Sequence, residues 1–278
     1  MLYVCPTPIG NLGDITLRVL EVLRSADLVA AEDTRRTRKL LAHYQISKPL
    51  VSFFEHNELK RLPALINQLE RGETIALVSD AGMPGVCDPG YRLVKAALAK
   101  DLPVRVLPGP SATLTALVSS GLPTDSFLFW GYLPRKQKER EQALMQIGAE
   151  PRTCVAFESP RRLKATLTAA AAILGDRKIA VCRELSKKFE EVTRGTATSL
   201  AAGTPDAVKG EIVLVFAGAV PEEKKADGRL AQIKEPLSQM LAAGLSARQA
   251  AGIAASLTGI SRNQAYRMAL ELKKTGSG

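Results

Sequence analysis

Thr74-Ile75-Ala76-Leu77-Val78-Ser79-Asp80-Ala81-Gly82-Met83-Pro84-Gly85-Val86-Cys87-Asp88-Pro89-Gly90, running on into Tyr91–Ala99, decides the fold class of this 278-residue chain. An unbroken apolar run of strand length gives way to a loop of Ser, Asp, Gly and Pro, and then to apolar residues at helical spacing. The same strand–loop–helix grammar extends to both sides. Strands are expected at Leu2–Cys5, Asp27–Ala31, Leu50–Phe54 and Val104–Leu107, with helices at Thr16–Arg24, Thr34–His43, Glu58–Arg71 and Ser111–Ser119. This alternation defines an α/β layer.

The breakers Gly121-Leu122-Pro123-Thr124-Asp125 end that series, so the first domain is expected to span 1–121. A second α/β domain is expected over 122–220. Its strands are Phe127–Gly131, Thr153–Glu158, Lys178–Arg183, Glu190–Arg194 and Ile212–Phe216, and its helices Gln137–Ile147 and Arg161–Leu174. The charged stretch Pro221–Asp227 reads as a linker. Beyond it, 228–275 carries helical patterns around Leu230–Ala243, Ser246–Leu257 and Arg262–Lys273. Ser246 and Ser261 stand where helix N-caps belong. Helix, short turn and second helix resemble a helix-turn-helix, whose second helix meets nucleic acid; a packing or dimerisation bundle would have the same pattern.

Lys and Arg number 38 against 28 Asp and Glu, a net charge of +10. Such a balance favours a polyanionic partner, although a solvated basic surface has the same composition. The longest apolar runs fall short of the roughly 20 residues that cross a bilayer. Met1-Leu2-Tyr3-Val4 enters a strand-like run with no basic region before it, so no signal peptide is read and a cytoplasmic location without membrane attachment is expected. Cys5, Cys87, Cys154 and Cys182 are widely separated, and His43 and His56 are the two histidines, so no metal site is expected.

Three loops after expected strands are rich in small residues and proline: Pro6–Asn11, Ser79–Gly90 and Pro108–Ala112. In open α/β sheets ligands bind outside the carboxyl ends of the strands. Three such loops together point to a pocket lined by backbone, in which small residues let a ligand come close. The glycine patterns of dinucleotide and triphosphate sites are missing, and Ser79 and Ser111 have no histidine partner in reach of a triad pattern.

These loops, together with Ala31-Glu32-Asp33-Thr34-Arg35, Gly131-Tyr132-Leu133-Pro134, Phe157-Glu158-Ser159-Pro160-Arg161-Arg162, Arg183-Glu184-Leu185-Ser186-Lys187 and Lys209-Gly210-Glu211, resemble the tetrapyrrole-methylase superfamily over residues 2–218. Within it they are most similar to the branch that methylates a cytidine 2'-hydroxyl in small-subunit ribosomal RNA. The family pattern has Thr where Met83 stands, His where Arg161 stands and Thr where Ser186 stands. The resemblance implies a tetrapyrrole-methylase-like α/β fold of two domains, S-adenosylmethionine held between them, a homodimer, and cytidine-1402 of 16S RNA as target. It places the donor against Pro8, Asp80, Gly82, Met83, Pro84, Val86, Ser111 and Ala112 from the first domain. From the second come Phe157, Arg183, Glu184, Leu185, Gly210 and Glu211.

Methyl transfer to a hydroxyl requires alignment and removal of a proton. Glu32 and Asp33 are the expected catalytic carboxylates, with Asp80, Glu158 and Glu184 as further candidates; Asp33 before Thr34-Arg35 fits a helix cap equally well. Basic residues expected to meet RNA phosphates are Arg35, Arg36, Arg135, Lys136, Arg161, Arg162, Lys187, Arg262 and Arg267, each of which also fits a solvated face. A precorrin methylase and a non-catalytic nucleic-acid-binding regulator are the competing readings.

Overall fold

The computed structural model describes residues 1–219, 233–258 and 260–275. Residues 1–218 form one compact unit and 219–278 another. In the first unit, strands β1 (Leu2–Val4), β2 (Leu28–Ala31), β3 (Leu50–Ser52), β4 (Ile75–Val78) and β5 (Val104–Val106) build a sheet of order β3-β2-β4-β1-β5, parallel throughout. All four residues of β4 are buried, because each face of the strand meets a separate helical layer. Ala76 and Val78 pack with Val19, Leu20 and Leu23 of α1 (Leu17–Ser25) and Leu41 of α2 (Thr34–His43). Ile75 and Leu77 pack on the other side with Leu65 and Leu69 of α3 (Glu58–Glu70) and Leu93 and Ala97 of α4 (Tyr91–Leu98). Because β4, β1 and β5 are adjacent and parallel, the three loops that follow them emerge side by side at one edge of the sheet. Two hydrogen bonds of 2.9 Å between Thr7 and Gly82 tie the first two loops together.

The second sheet, of order β6-β7-β10-β8-β9, is mixed. β6 (Phe127–Tyr132) and β7 (Thr153–Glu158) run parallel, while β8 (Lys178–Arg183), β9 (Glu191–Thr196) and β10 (Ile212–Phe216) pair antiparallel. One face is covered by α6 (Gln137–Ala149), α7 (Leu163–Leu174) and α8 (Ala197–Gly203) over Ala156, Leu214 and Phe216. The opposite face receives α5 (Ala112–Ser120). Its Ala116 and Leu117 pack with Val155, Ala180, Cys182, Val213 and Val215. The helix that follows the last strand of the first sheet therefore buries its apolar side on the second. This packing joins the two layers and sets the cleft between them.

In the second unit, residues 233–242 form helix α9, followed by α10 (Ala247–Thr258) and α11 (Arg262–Thr275). Ile233, Leu237, Ala250, Ala254, Ile260, Ala265 and Ala269 form its core, and the small alanines let the helices pack closely. Ser246 and Ser261 cap α10 and α11, accepting hydrogen bonds from Gln249 N and Gln264 N at 3.3 and 3.2 Å. The expected linker Pro221–Asp227 and the expected helix start at Leu230 lie outside the described residues.

Candidate functional site

Between the two sheets lies a cavity of about 910 Å³. The loop after β4 contributes Asp80, Gly82, Met83, Val86 and Asp88, and the loop after β1 contributes Ile9. Ser111 and Ala112 line it at the start of α5, where the Ser111 hydroxyl accepts from Leu114 N at 3.4 Å. From the second sheet come Phe127, Phe129, Tyr132 and Phe157, with Gly210, Glu211 and Val213. Phe157 stands edge-on to both Phe129 and Tyr132, with ring centroids 5.1 and 5.3 Å apart. One wall is thus aromatic, and the facing wall offers backbone from loops shaped by glycine. Gly82 has φ +81° and Gly210 φ +100°, conformations that side chains other than glycine rarely adopt.

The residues expected at the donor divide into three groups. Asp80, Gly82, Met83, Val86, Ser111, Ala112, Phe157, Gly210 and Glu211 line the cavity. Glu184 and Leu185 stand behind it. Glu184 Oε1 accepts from Glu211 N at 2.9 Å and from Lys187 Nζ at 2.8 Å, which holds the Gly210–Glu211 turn. Leu185 is buried beside Ile9. Pro84 is buried in its loop and Pro8 half-buried between the bridging Thr7 and the lining Ile9. Arg183 turns elsewhere, making a two-pronged contact with Glu191 across the β8–β9 pair at 2.7 and 3.0 Å.

The two expected catalytic carboxylates separate. Glu32 lines the cavity, accepts from Asp80 N at 3.1 Å, and has its carboxyl raised above the ordinary range, chiefly by burial. Asp33 caps α2, accepting from Arg35 N at 2.8 Å and pairing with the Arg35 guanidinium, which pulls its carboxyl down to about 2. A group held so firmly ionised is a weak proton acceptor near neutrality. Asp80 pairs with Arg36 at 3.3 Å, and its Oδ1 accepts from Asp33 N at 3.1 Å. Glu158 is 2% exposed and faces Arg162 at 2.6 Å and the Thr166 hydroxyl at 2.6 Å.

Asp88 was not singled out as a catalytic candidate by sequence reasoning. It lies in the quoted Ser79–Gly90 loop but reads there as an Asp-Pro-Gly turn. In the fold it lines the cavity beside Glu32, and its carboxyl is pushed up to about 7. Burial is the largest cause, the nearby charges of Glu32 and Asp80 add to it, and the Ser79 hydroxyl opposes it.

The basic residues also divide. Arg35, Arg135, Lys136, Arg161, Arg262 and Arg267 are exposed. Arg36 lines the cavity. Arg162 is committed to buried Glu158, and Lys187 bridges Glu184 and Glu211 at 2.8 and 3.2 Å. Arg140, near Arg135 and Lys136 in the chain, is instead 7% exposed and donates to Arg135 O. Lys164, next to Arg161 and Arg162 in the chain, donates to Ala201 O and Thr204 O at the carboxyl end of α8. Helix termini leave carbonyls that a lysine can satisfy.

Residues 1–201 match the family model Tetrapyrrole (Corrin/Porphyrin) Methylases, and residues 235–273 match the RsmI C-terminal HTH domain. Among solved structures, diphthine synthase aligns with a TM-score of 0.60 at 18% identity, covering 78% of this chain and 89% of that one. Uroporphyrin-III C-methyl transferase from Thermus thermophilus, complexed with S-adenosyl homocysteine, aligns with a TM-score of 0.55 at 18% identity over 78% and 96%. The family model defines the class, a methyltransferase of the tetrapyrrole-methylase type. Curated relatives narrow the class. The proteins called ribosomal RNA small subunit methyltransferase I from Synechocystis sp. and Mesorhizobium japonicum are 45% and 49% identical to this chain, covering 99% of it and 99% and 92% of themselves. The one from Escherichia coli O157:H7 is 43% identical over 97% and 94%. The chain belongs to the ribosomal RNA small subunit methyltransferase I family.

Proposed function

We propose that the protein methylates the ribose 2'-hydroxyl of cytidine-1402 in 16S ribosomal RNA of the small subunit, acting in the cytoplasm as a homodimer. The observation that carries this reading is the cavity itself: an aromatic wall faces glycine-shaped backbone, and two half-buried carboxylates, Glu32 and Asp88, stand at its side. The residues fit the donor. A volume of about 910 Å³ accommodates a nucleoside-sized ligand, Phe157 offers a face to adenine, and Met83 and Gly210 bring backbone to the cavity wall. Ser111 and Ala112 would hold the donor from the start of α5. In this reading residues 1–121 and 122–220 are the two halves of the cleft and 228–275 is an RNA-binding module.

The bound donor supplies an electrophilic methyl group on a sulfonium sulfur. Asp88 would accept the proton of the 2'-hydroxyl as the methyl group passes to that oxygen, the donor leaving as a neutral thioether. Burial, helped by the neighbouring Glu32 charge, keeps the Asp88 carboxyl basic enough for this task. Alignment of oxygen, carbon and sulfur by the cavity walls supplies much of the acceleration. Arg35, Arg135, Lys136, Arg161, Arg262 and Arg267, all exposed, are suited to RNA phosphates. Leu17, Val106, Leu114 and Val118 are more than half exposed and offer apolar area for a second copy.

Mass spectrometry of small-subunit RNA from cells lacking the protein tests the reading. One ribose methyl should be missing and should return with the purified protein and donor. An unchanged methylation pattern would overturn it.

A further inference from the structure

A second cavity, of about 470 Å³, adjoins the first and shares Glu32 and Asp88 with it. Its outer side is formed by Phe54 and His56, from the loop between β3 and α3, and by Tyr91 and Arg92 at the start of α4. Phe54 and Tyr91 are 37% and 66% exposed, although both are large apolar rings. Their support is well fixed. Phe54 N donates to Asn57 Oδ1 at 2.8 Å, and Asn57 Nδ2 donates to Ser52 O at 3.1 Å. Glu58, nearly buried, accepts from Gly90 N and pairs with Arg92 at 3.4 Å.

Exposed rings held rigidly beside a cationic guanidinium suit an unstacked nucleobase and its phosphate. The acidic side chain of Glu55 in the lining suits a base edge that carries an amino donor, as cytosine does, and disfavours the carbonyl edge of uracil. We propose that this pocket receives the acceptor nucleotide of a single-stranded RNA segment, its base against Tyr91 and Phe54, its phosphate at Arg92 and its ribose over the wall formed by Glu32 and Asp88. The inference rests on the RNA-methyltransferase reading and adds the place where the acceptor sits. The shared wall explains how a hydroxyl in one cavity reaches a methyl group in the other.

The test uses the full chain with purified small subunits and S-adenosylmethionine. Tyr91→Ala and Phe54→Ala should each raise KM for subunits on the order of tenfold, since a base stacked on an aromatic ring loses that much when the ring is removed. Tyr91→Phe should retain wild-type KM, and the affinity of each variant for S-adenosylhomocysteine, measured by calorimetry, should be unchanged. Wild-type KM in both alanine variants would overturn the proposal. Equal loss of donor affinity would also overturn it, because the rings would then serve the donor cavity. Equal transfer to subunits carrying uridine at the target position would overturn the amino-edge reading. Failure of the wild-type protein to methylate subunits at all would instead refute the parent reading.

Discussion

Asp88 is a residue whose chemistry its neighbours decide. An aspartate in an Asp-Pro-Gly turn is ordinarily solvated and ionised, whereas burial next to Glu32 and Asp80 lifts this one to about 7. The rate of methyl transfer at low substrate should therefore rise with pH through about 7 and level off above it. Asp88→Asn should lose that limb and lower kcat by about 10²- to 10⁴-fold, read from single-turnover transfer across pH 5.5–8.5. The same shift has a stability consequence. The unfolded carboxyl releases its proton near 3.8 and the folded one near 7, so stability from the protonated group is full below 3.8 and is lost as pH rises through about 7. Asp88→Asn should accordingly melt above the wild type at pH 8 and level with it at pH 4. At this scale the sequence was partly legible: Glu32, Asp80 and Phe157 were singled out and line the cavity, but a carboxyl's pKa depends on neighbours 8 to 56 residues away in the chain.

Elements were more legible. The helix Thr34–His43 and the strands Thr153–Glu158, Lys178–Arg183 and Ile212–Phe216 match the sequence-based bounds, because apolar periodicity and caps act over a few residues. The short helix α8 had no such signal. It spans seven residues, and its Thr196–Ser199 capping box follows directly on β9. The turn into β10 shows how one element shapes the site. A Cβ on Gly210 would stand 2.5 Å from Glu184 Cγ, and the backbone there has φ +100°. Gly210→Ala should push Glu184 off Glu211 N and weaken S-adenosylhomocysteine binding on the order of tenfold by calorimetry, with the melting temperature reporting any wider damage.

For the whole molecule, the net charge of +10 should make the proposed association with ribosomal RNA strongly dependent on salt. Arg262 and Arg267 of α11 are exposed in a helix-turn-helix unit. Replacing each by alanine should lower affinity for small subunits and reduce the slope of log K against log salt by about 1 per lost phosphate contact, without changing donor affinity. Unchanged slopes would assign the tail to packing.

Local patterns by themselves determined the α/β class, most element positions, the three loops that meet at one sheet edge and the capped helices of the tail. Each depends on residues close in the chain. Tertiary structure alone decided that the second sheet is mixed, that α5 buries its apolar side on it, and that Asp88 lies on the wall between two cavities. Those outcomes depend on packing between segments far apart in sequence, where burial and neighbouring charge, not residue type, set what a side chain can do.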